Sequence, residues 1–219
     1  MIGHALLRRS GPGALDGWDR PIAAGFGIGS VCFLIGPLPG VVQLIGSGPD
    51  AALFFLGSIF FTLAAGLELR QATLRRGARF GRDGAWWSAA IQFVGTLLFN
   101  IDTFDATRTG FSVEQDNRLI WAPDAIGSAC FLVSGVLAYR IAARGGEHDP
   151  AWRMAAVHLA GCVLFGISAV ASYFVPATGS ILDLAAANWG TSLGAACFLA
   201  GAVMLWPASE STRPQEVRT

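Results

Sequence analysis

Lysine is absent from this 219-residue chain: all fifteen basic residues are arginine, and charged residues make up only 14% of the sequence. So little charge, beside 53% hydrophobic residues and a mean hydropathy of +0.52, excludes an ordinary water-soluble domain and points to an integral membrane protein. The four cysteines, Cys32, Cys130, Cys162 and Cys197, lie in apolar runs without C-x-x-C spacing or clustered histidine. Zinc or iron–sulfur ligation and a disulfide framework are therefore not expected, and each cysteine reads as a small buried hydrophobe. One histidine of three falls in an apolar run, so a bis-histidine haem site is set aside as well. Phosphate-binding, dinucleotide-binding and hydrolase motifs are missing, and no paired acid, base and nucleophile occur together. The expectation is a protein without catalytic residues, cofactor or metal.

What is present is a repeat. Glycine, a small residue, two further residues and phenylalanine recur six times, each copy inside an apolar run. Three copies stand 66 residues apart: Gly29-Ser30…Phe33, Gly95-Thr96…Phe99 and Gly161-Cys162…Phe165. The others, Gly57-Ser58…Phe61, Gly127-Ser128…Phe131 and Gly194-Ala195…Phe198, each follow one of the first set after a further span. This is a helical hairpin written three times. Hydrophobicity drives helix association only weakly in lipid, so glycine notches that admit a neighbouring backbone, each filled by phenylalanine, supply the packing. The glycines Gly29, Gly57, Gly95, Gly127, Gly161 and Gly194 are expected to face the bundle interior. Small pairs at Gly25/Gly29, Gly36/Gly40 and Gly190/Gly194 should add contact surfaces.

The fold class expected is all-α, a polytopic membrane bundle of six transmembrane helices at about 22–45, 51–70, 86–106, 120–143, 152–175 and 183–206. They form a domain over 22–206 with hairpins 22–70, 86–143 and 152–206, between tails 1–21 and 207–219. Thirteen of the fifteen arginines fall in the tails and the even-numbered connections, which places both termini in the cytoplasm of a bacterial inner membrane. The first twenty residues lack the apolar stretch of a cleaved leader and read as a retained tail. All seven tryptophans fit belt positions, Trp121 and Trp189 at the outer boundary and the rest at the inner one. Pro176 and Pro207 read as helix stops. Gly36-Pro37-Leu38-Pro39-Gly40 interrupts the first span, either as a kinked outer end, the favoured reading, or as a broken helix lining a site.

The segments FGIGSVCFLIG and LFFLGSIFFTLAAGLELRQATLRR, within residues 22–76, resemble the YrhK-like family of small bacterial membrane proteins. Weaker echoes are AIGSACFLVSGVLAYR and SLGAACFLAGAVMLW. The resemblance implies paired membrane helices and a membrane location, and it brings no catalytic residue with it.

Polar residues inside spans are the places to look for function, because lipid penalises them. Gln92 and His158 occupy equivalent repeat positions, with Phe26 at the third, and could hydrogen-bond across helices. His158 reads either as packing glue, the favoured view, or as a proton-relay or ligand group. Asn100, Asp102, Asp105, Glu114, Asp116 and Asp124 cluster at the outer end of the third and fourth spans, as a solvated acidic loop or an attractor of a cation. Glu68 reads as an interfacial ion pair or snorkelling group. Arg70, Arg75, Arg76, Arg79 and Arg82 should set topology and contact the head groups of anionic lipid, with no nucleic-acid role. The function expected is that of a non-catalytic scaffold or accessory component, with a small-solute or ion transporter or channel as the alternative.

Overall fold

The structure is a computed structural model that describes residues 18–76, 83–146 and 149–210, with side-chain surroundings for all of these except Arg76 and 207–210. Arg8, Arg9, Arg79, Arg82, Arg213 and Arg218 lie outside the described residues, as do the greater parts of both tails.

Helices dominate. In chain order they are α1 (Asp19–Ile35), the short α2 (Val41–Ile45), α3 (Ser47–Arg76), α4 (Gly84–Asp105), the short α5 (Val113–Asp116), α6 (Ala122–Ala143), α7 (Pro150–Ala171) and α8 (Leu184–Glu210). One wide π-turn, Asn117–Trp121, joins α5 to α6, just before Pro123, which cannot donate to the carbonyl four residues back. A two-stranded antiparallel hairpin, β1 (Phe174–Val175) and β2 (Ser180–Ile181), sits between α7 and α8. The repeat extends to the helix starts. Asp83 caps α4 through the amides of Ala85 and Trp86, and Asp149, 66 residues on, caps α7 through that of Ala151.

The six long helices close a ring in the order α1, α3, α4, α6, α7, α8 and back to α1. Each sequence-adjacent pair packs side by side, so the ring consists of three hairpins, α1/α3, α4/α6 and α7/α8. Its wall is apolar on the outside. Ile28, Leu63, Val94, Val133, Ile167 and Val203 are all exposed, one from each long helix.

Sequence and structure differ at several points. Among the described residues four helices, not six, are by themselves long and apolar enough to cross a membrane: Ser47–Arg75, Val113–Ala143, Pro150–Ala171 and Leu184–Trp206. Helix α1 stops after 17 residues because Pro37 follows its end. Helix α4 has 22 residues, but Gln92, Asn100, Asp102 and Asp105 dilute it. The first span is broken outright, not kinked: the chain turns through Gly40 at φ +93° before α2. Gly40 has open space around it, so Gly36/Gly40 is not a packing pair, whereas Gly25 and Gly190 do lie against neighbouring backbone at Phe60 and Leu164. Pro207 does not stop α8, which runs on to Glu210; one missing donor near a helix end is a small loss. Helix α7 ends at Ala171, before Pro176, which lies in the β-hairpin turn.

Candidate functional site

The centre of the ring is filled by the six signature phenylalanines, each between 1% and 6% exposed. Within each hairpin the two glycines face each other and the two phenylalanines exchange places. A β-carbon added to Gly29 would stand 2.7 Å from Phe61 and 2.9 Å from the Gly57 carbonyl oxygen, and one on Gly57 would stand 3.0 Å from Phe33. Gly95 meets Phe131 at 2.7 Å and the Gly127 carbonyl at 3.0 Å; Gly161 meets Phe198 at 2.7 Å and the Gly194 carbonyl at 3.1 Å. Gly127 and Gly194 complete the exchange with Phe99 and Phe165. Only hydrogen permits this approach, at which Cα–H groups also contact the opposing carbonyls.

The rings form two layers. Phe33, Phe99 and Phe165 make one, linked by centroid separations of 5.9 Å (Phe33–Phe165) and 6.0 Å (Phe99–Phe165). Phe61, Phe131 and Phe198 make the other, with 5.9 Å from Phe198 to each partner. Hairpin pairs at 5.6, 4.9 and 5.2 Å join the layers, all within the favourable range for aromatic contact. Together they plug the ring.

On the arginine-rich side of the plug, His158 stacks 5.1 Å from Phe198 and Phe26 meets Phe61 at 5.7 Å. Gln92 and His158 do not bond each other. Gln92 Oε1 stands 3.4 Å from the Ser134 hydroxyl, which it shares as acceptor with the closer Ser88 carbonyl at 2.8 Å, while Ser88 donates to the Ser134 carbonyl at 3.0 Å. His158 is 1% exposed, and neither ring nitrogen has a hydrogen-bond partner among the described residues. It is therefore buried against aromatic carbon with its polar capacity unused, an arrangement that costs stability. His158→Phe, copying the repeat-equivalent Phe26, should raise stability in detergent by about 1–3 kcal/mol. Heat-challenged size-exclusion chromatography checks it, and a lower transition than wild type would give His158 a part that packing does not.

Toward the helix ends on this side, Gln71 donates to Asp19 at 3.1 Å, and Arg70 and Arg20 lie over Trp18 and Trp206 at 4.5 and 5.8 Å. Glu68 is buried there, not snorkelling at the surface.

On the opposite side the first Phe layer is the floor of a cavity of about 490 Å³. Asp50, Asp102, Asp116 and Asp124 line it, with a single guanidinium, Arg108, that already pairs with Asp105 at 3.0 Å. Hydroxyls and the Asn188 amide complete the polar lining. Thr103 bonds Ser58 at 2.9 Å, Ser168 bonds Thr191 at 2.7 Å, and Ser172 donates to Asp124 at 3.3 Å. The broken end of α1 contributes Pro37 and Val42 to the wall, so the interruption lines this cavity. Asn117 holds β1 over the rim by bonding both backbone groups of Phe174, at 2.7 and 3.0 Å, and Trp121 donates to the Ala169 carbonyl at 2.8 Å.

The acidic residues read from sequence thus divide. Asp102, Asp116 and Asp124 share the cavity, whereas Asp105 turns to Arg108 and Glu114 is exposed outside the lining. Asn100 belongs to neither side: it donates to Thr62 at 2.9 Å, and Thr62 to the Thr96 carbonyl at 3.2 Å, clasping α3 to α4. Asp50 was missed. Its signal was its position at the start of the second span, the same end of the bundle as Asp102 and Asp124. Among the described residues no three His, Cys, Asp or Glu side chains gather closely enough to hold a metal ion. No protein-family model matches the chain, and neither a curated protein nor a solved structure is similar to it.

Proposed function

We propose that this chain is a multi-pass protein of the bacterial inner membrane, a non-catalytic scaffold or accessory component whose centre is closed by packing. The observation that carries the reading is the two-layer plug. Six buried rings fill the axis that a solute would have to follow, and fully buried Phe26, His158 and Leu205 lie beyond them. In this reading all six long helices cross the bilayer. Support comes from α1 and α4, which present to the outside the same apolar surface as their neighbours: Ile28 is 45% exposed and Ile101 49%. They also stand between helices that qualify as spans, where lipid would surround the whole ring.

Both termini are cytoplasmic, with the arginine-rich ends held there by the positive-inside rule and by anionic head groups at Arg70, Arg75, Arg76, Arg79 and Arg82. The YrhK-like hairpin of 22–76 is then one of three built on the same glycine exchange. A second reading, a small-solute or ion transporter, is favoured by the acidic cavity and by the broken α1 in its wall. The scaffold reading is preferred because that cavity ends blind on the plug.

Reporter fusions test the crossing pattern. Fusions after residue 78, 147 or 212 should be active only with a cytoplasmic reporter, and fusions after 46, 110 or 178 only with an external one. External activity at 78 would overturn the orientation, and matching activities at 46 and 78 would remove a crossing.

A further inference from the structure

We infer that the acidic cavity is a binding site for a small protonated amine carrying an apolar or aromatic body. The inference stands on the cavity's own geometry and is independent of which side of a membrane it faces.

The charge balance comes first. Among the described residues four acidic side chains line the cavity against one arginine, and that arginine is committed to Asp105, which is not part of the lining. A cation is therefore attracted and an anion repelled.

The second observation concerns Asp102, which is 5% exposed and has a side-chain oxygen, Oδ1, without a hydrogen-bond partner among the described residues. Asp124 faces the same space and repels it, while accepting from Ser172. Among the described residues the Thr103 backbone amide is the one donor to this carboxyl, and Oδ1 is left without one, so its desolvation is compensated only in part. An N–H bearing cation supplies the opposite charge and, once the Asp102 carboxyl turns Oδ1 toward the cavity, the missing donor as well, in a charge-assisted hydrogen bond.

The floor determines the rest of the ligand. Phe33, Phe99 and Phe165 present rings to the cavity, and Phe54, Trp121 and Phe174 stand in its wall. Aromatic faces stabilise a cation and accept an apolar body. A hydrated divalent ion would find little there to replace its water, and among the described residues no cluster of three acidic or soft side chains to hold it. The volume, about 490 Å³, lies in the range of small-molecule pockets.

Isothermal titration of the full chain in detergent tests this, with 2-phenylethylammonium as probe and 3-phenylpropionate, tetraethylammonium and calcium as comparisons. The amine should bind saturably at one per chain, and Asp102→Asn should weaken it by about 10-fold or more, the loss that follows removal of one partner of a buried charge pair. Asp102→Asn should also melt at or above the wild-type temperature without ligand, because a buried acidic group in conflict with Asp124 has been removed; if it fails to fold, Asp124→Asn carries the same test. Absence of amine binding, equal affinity for the propionate, or affinity unchanged in the folded variant would overturn the site. Tighter binding of tetraethylammonium, which has no N–H, would overturn the donor bond to Asp102, and saturable calcium binding in place of the amine would make the site a metal site.

Discussion

Gly161→Leu should abolish recovery of a monodisperse protein from membranes, while Gly166→Leu, five residues along the same helix, should leave recovery and heat stability unchanged. The two glycines see opposite surroundings. A β-carbon on Gly161 would lie 2.7 Å from Phe198 and 3.1 Å from the Gly194 carbonyl, whereas one on Gly166 meets nothing within 4 Å. Phe198 cannot step aside, because it is packed at 5.9 Å against Phe61 and Phe131 and at 5.2 Å against Phe165. Nor can the carbonyl move without separating α7 from α8. Overpacking a rigid interior usually costs about 1–3 kcal/mol, and a leucine branch against backbone belongs above that range. Fluorescence-detected size-exclusion chromatography after a heat step measures both variants. Equal survival of the two would mean that the glycine crossings do not hold the ring together.

The glycine exchange is the part of the architecture most legible in sequence, and for a physical reason. In these hairpins the crossing glycine and the ring that fills the facing notch stand one turn apart on the same helix, so the pattern is written locally in every copy. The spacing of Gly29, Gly95 and Gly161 likewise announces three hairpins. What sequence does not carry is the closure of the ring by α1 against α8, since that contact joins residues such as Ser192 and Leu34, bonded at 3.2 Å across 158 positions. The same holds for the cavity. Asp50, Asp102 and Asp124 come from three helices, and no local spacing relates them. Gln92 and His158 were legible as buried polar groups at matched depth. Yet matched depth in a repeat makes them equivalent, not adjacent, and Gln92 found its partner in Ser134. The break at Pro37 was visible, but whether it kinks or ends the helix depends on Gly40 at positive φ and on the cavity its turn helps to wall.

Phe198→Ala should lower stability by about 3–5 kcal/mol, with Phe104→Ala nearly silent. Phe198 is the junction of the plug, in contact with Phe61, Phe131, Phe165 and His158 and 1% exposed. Truncation leaves a void that three hairpins share and none can collapse alone. Phe104, 52% exposed on the outer wall, gives up one ring contact, with Phe55 at 5.6 Å, and surface that lipid would cover in the proposed bilayer setting. Unfolding monitored by denaturant titration in mixed micelles gives the difference. The same pair of variants separates a packing core from a gate. If the plug were a gate, Phe198→Ala liposomes would lose a potassium gradient that wild-type liposomes keep. If it is packing, the gradient holds, because Ile22, Phe26 and Leu205 remain buried across the same axis on the arginine-rich side. A stable, leaking Phe198→Ala protein would therefore reverse the order of the two functional readings and make the six rings a closed door in a transport route.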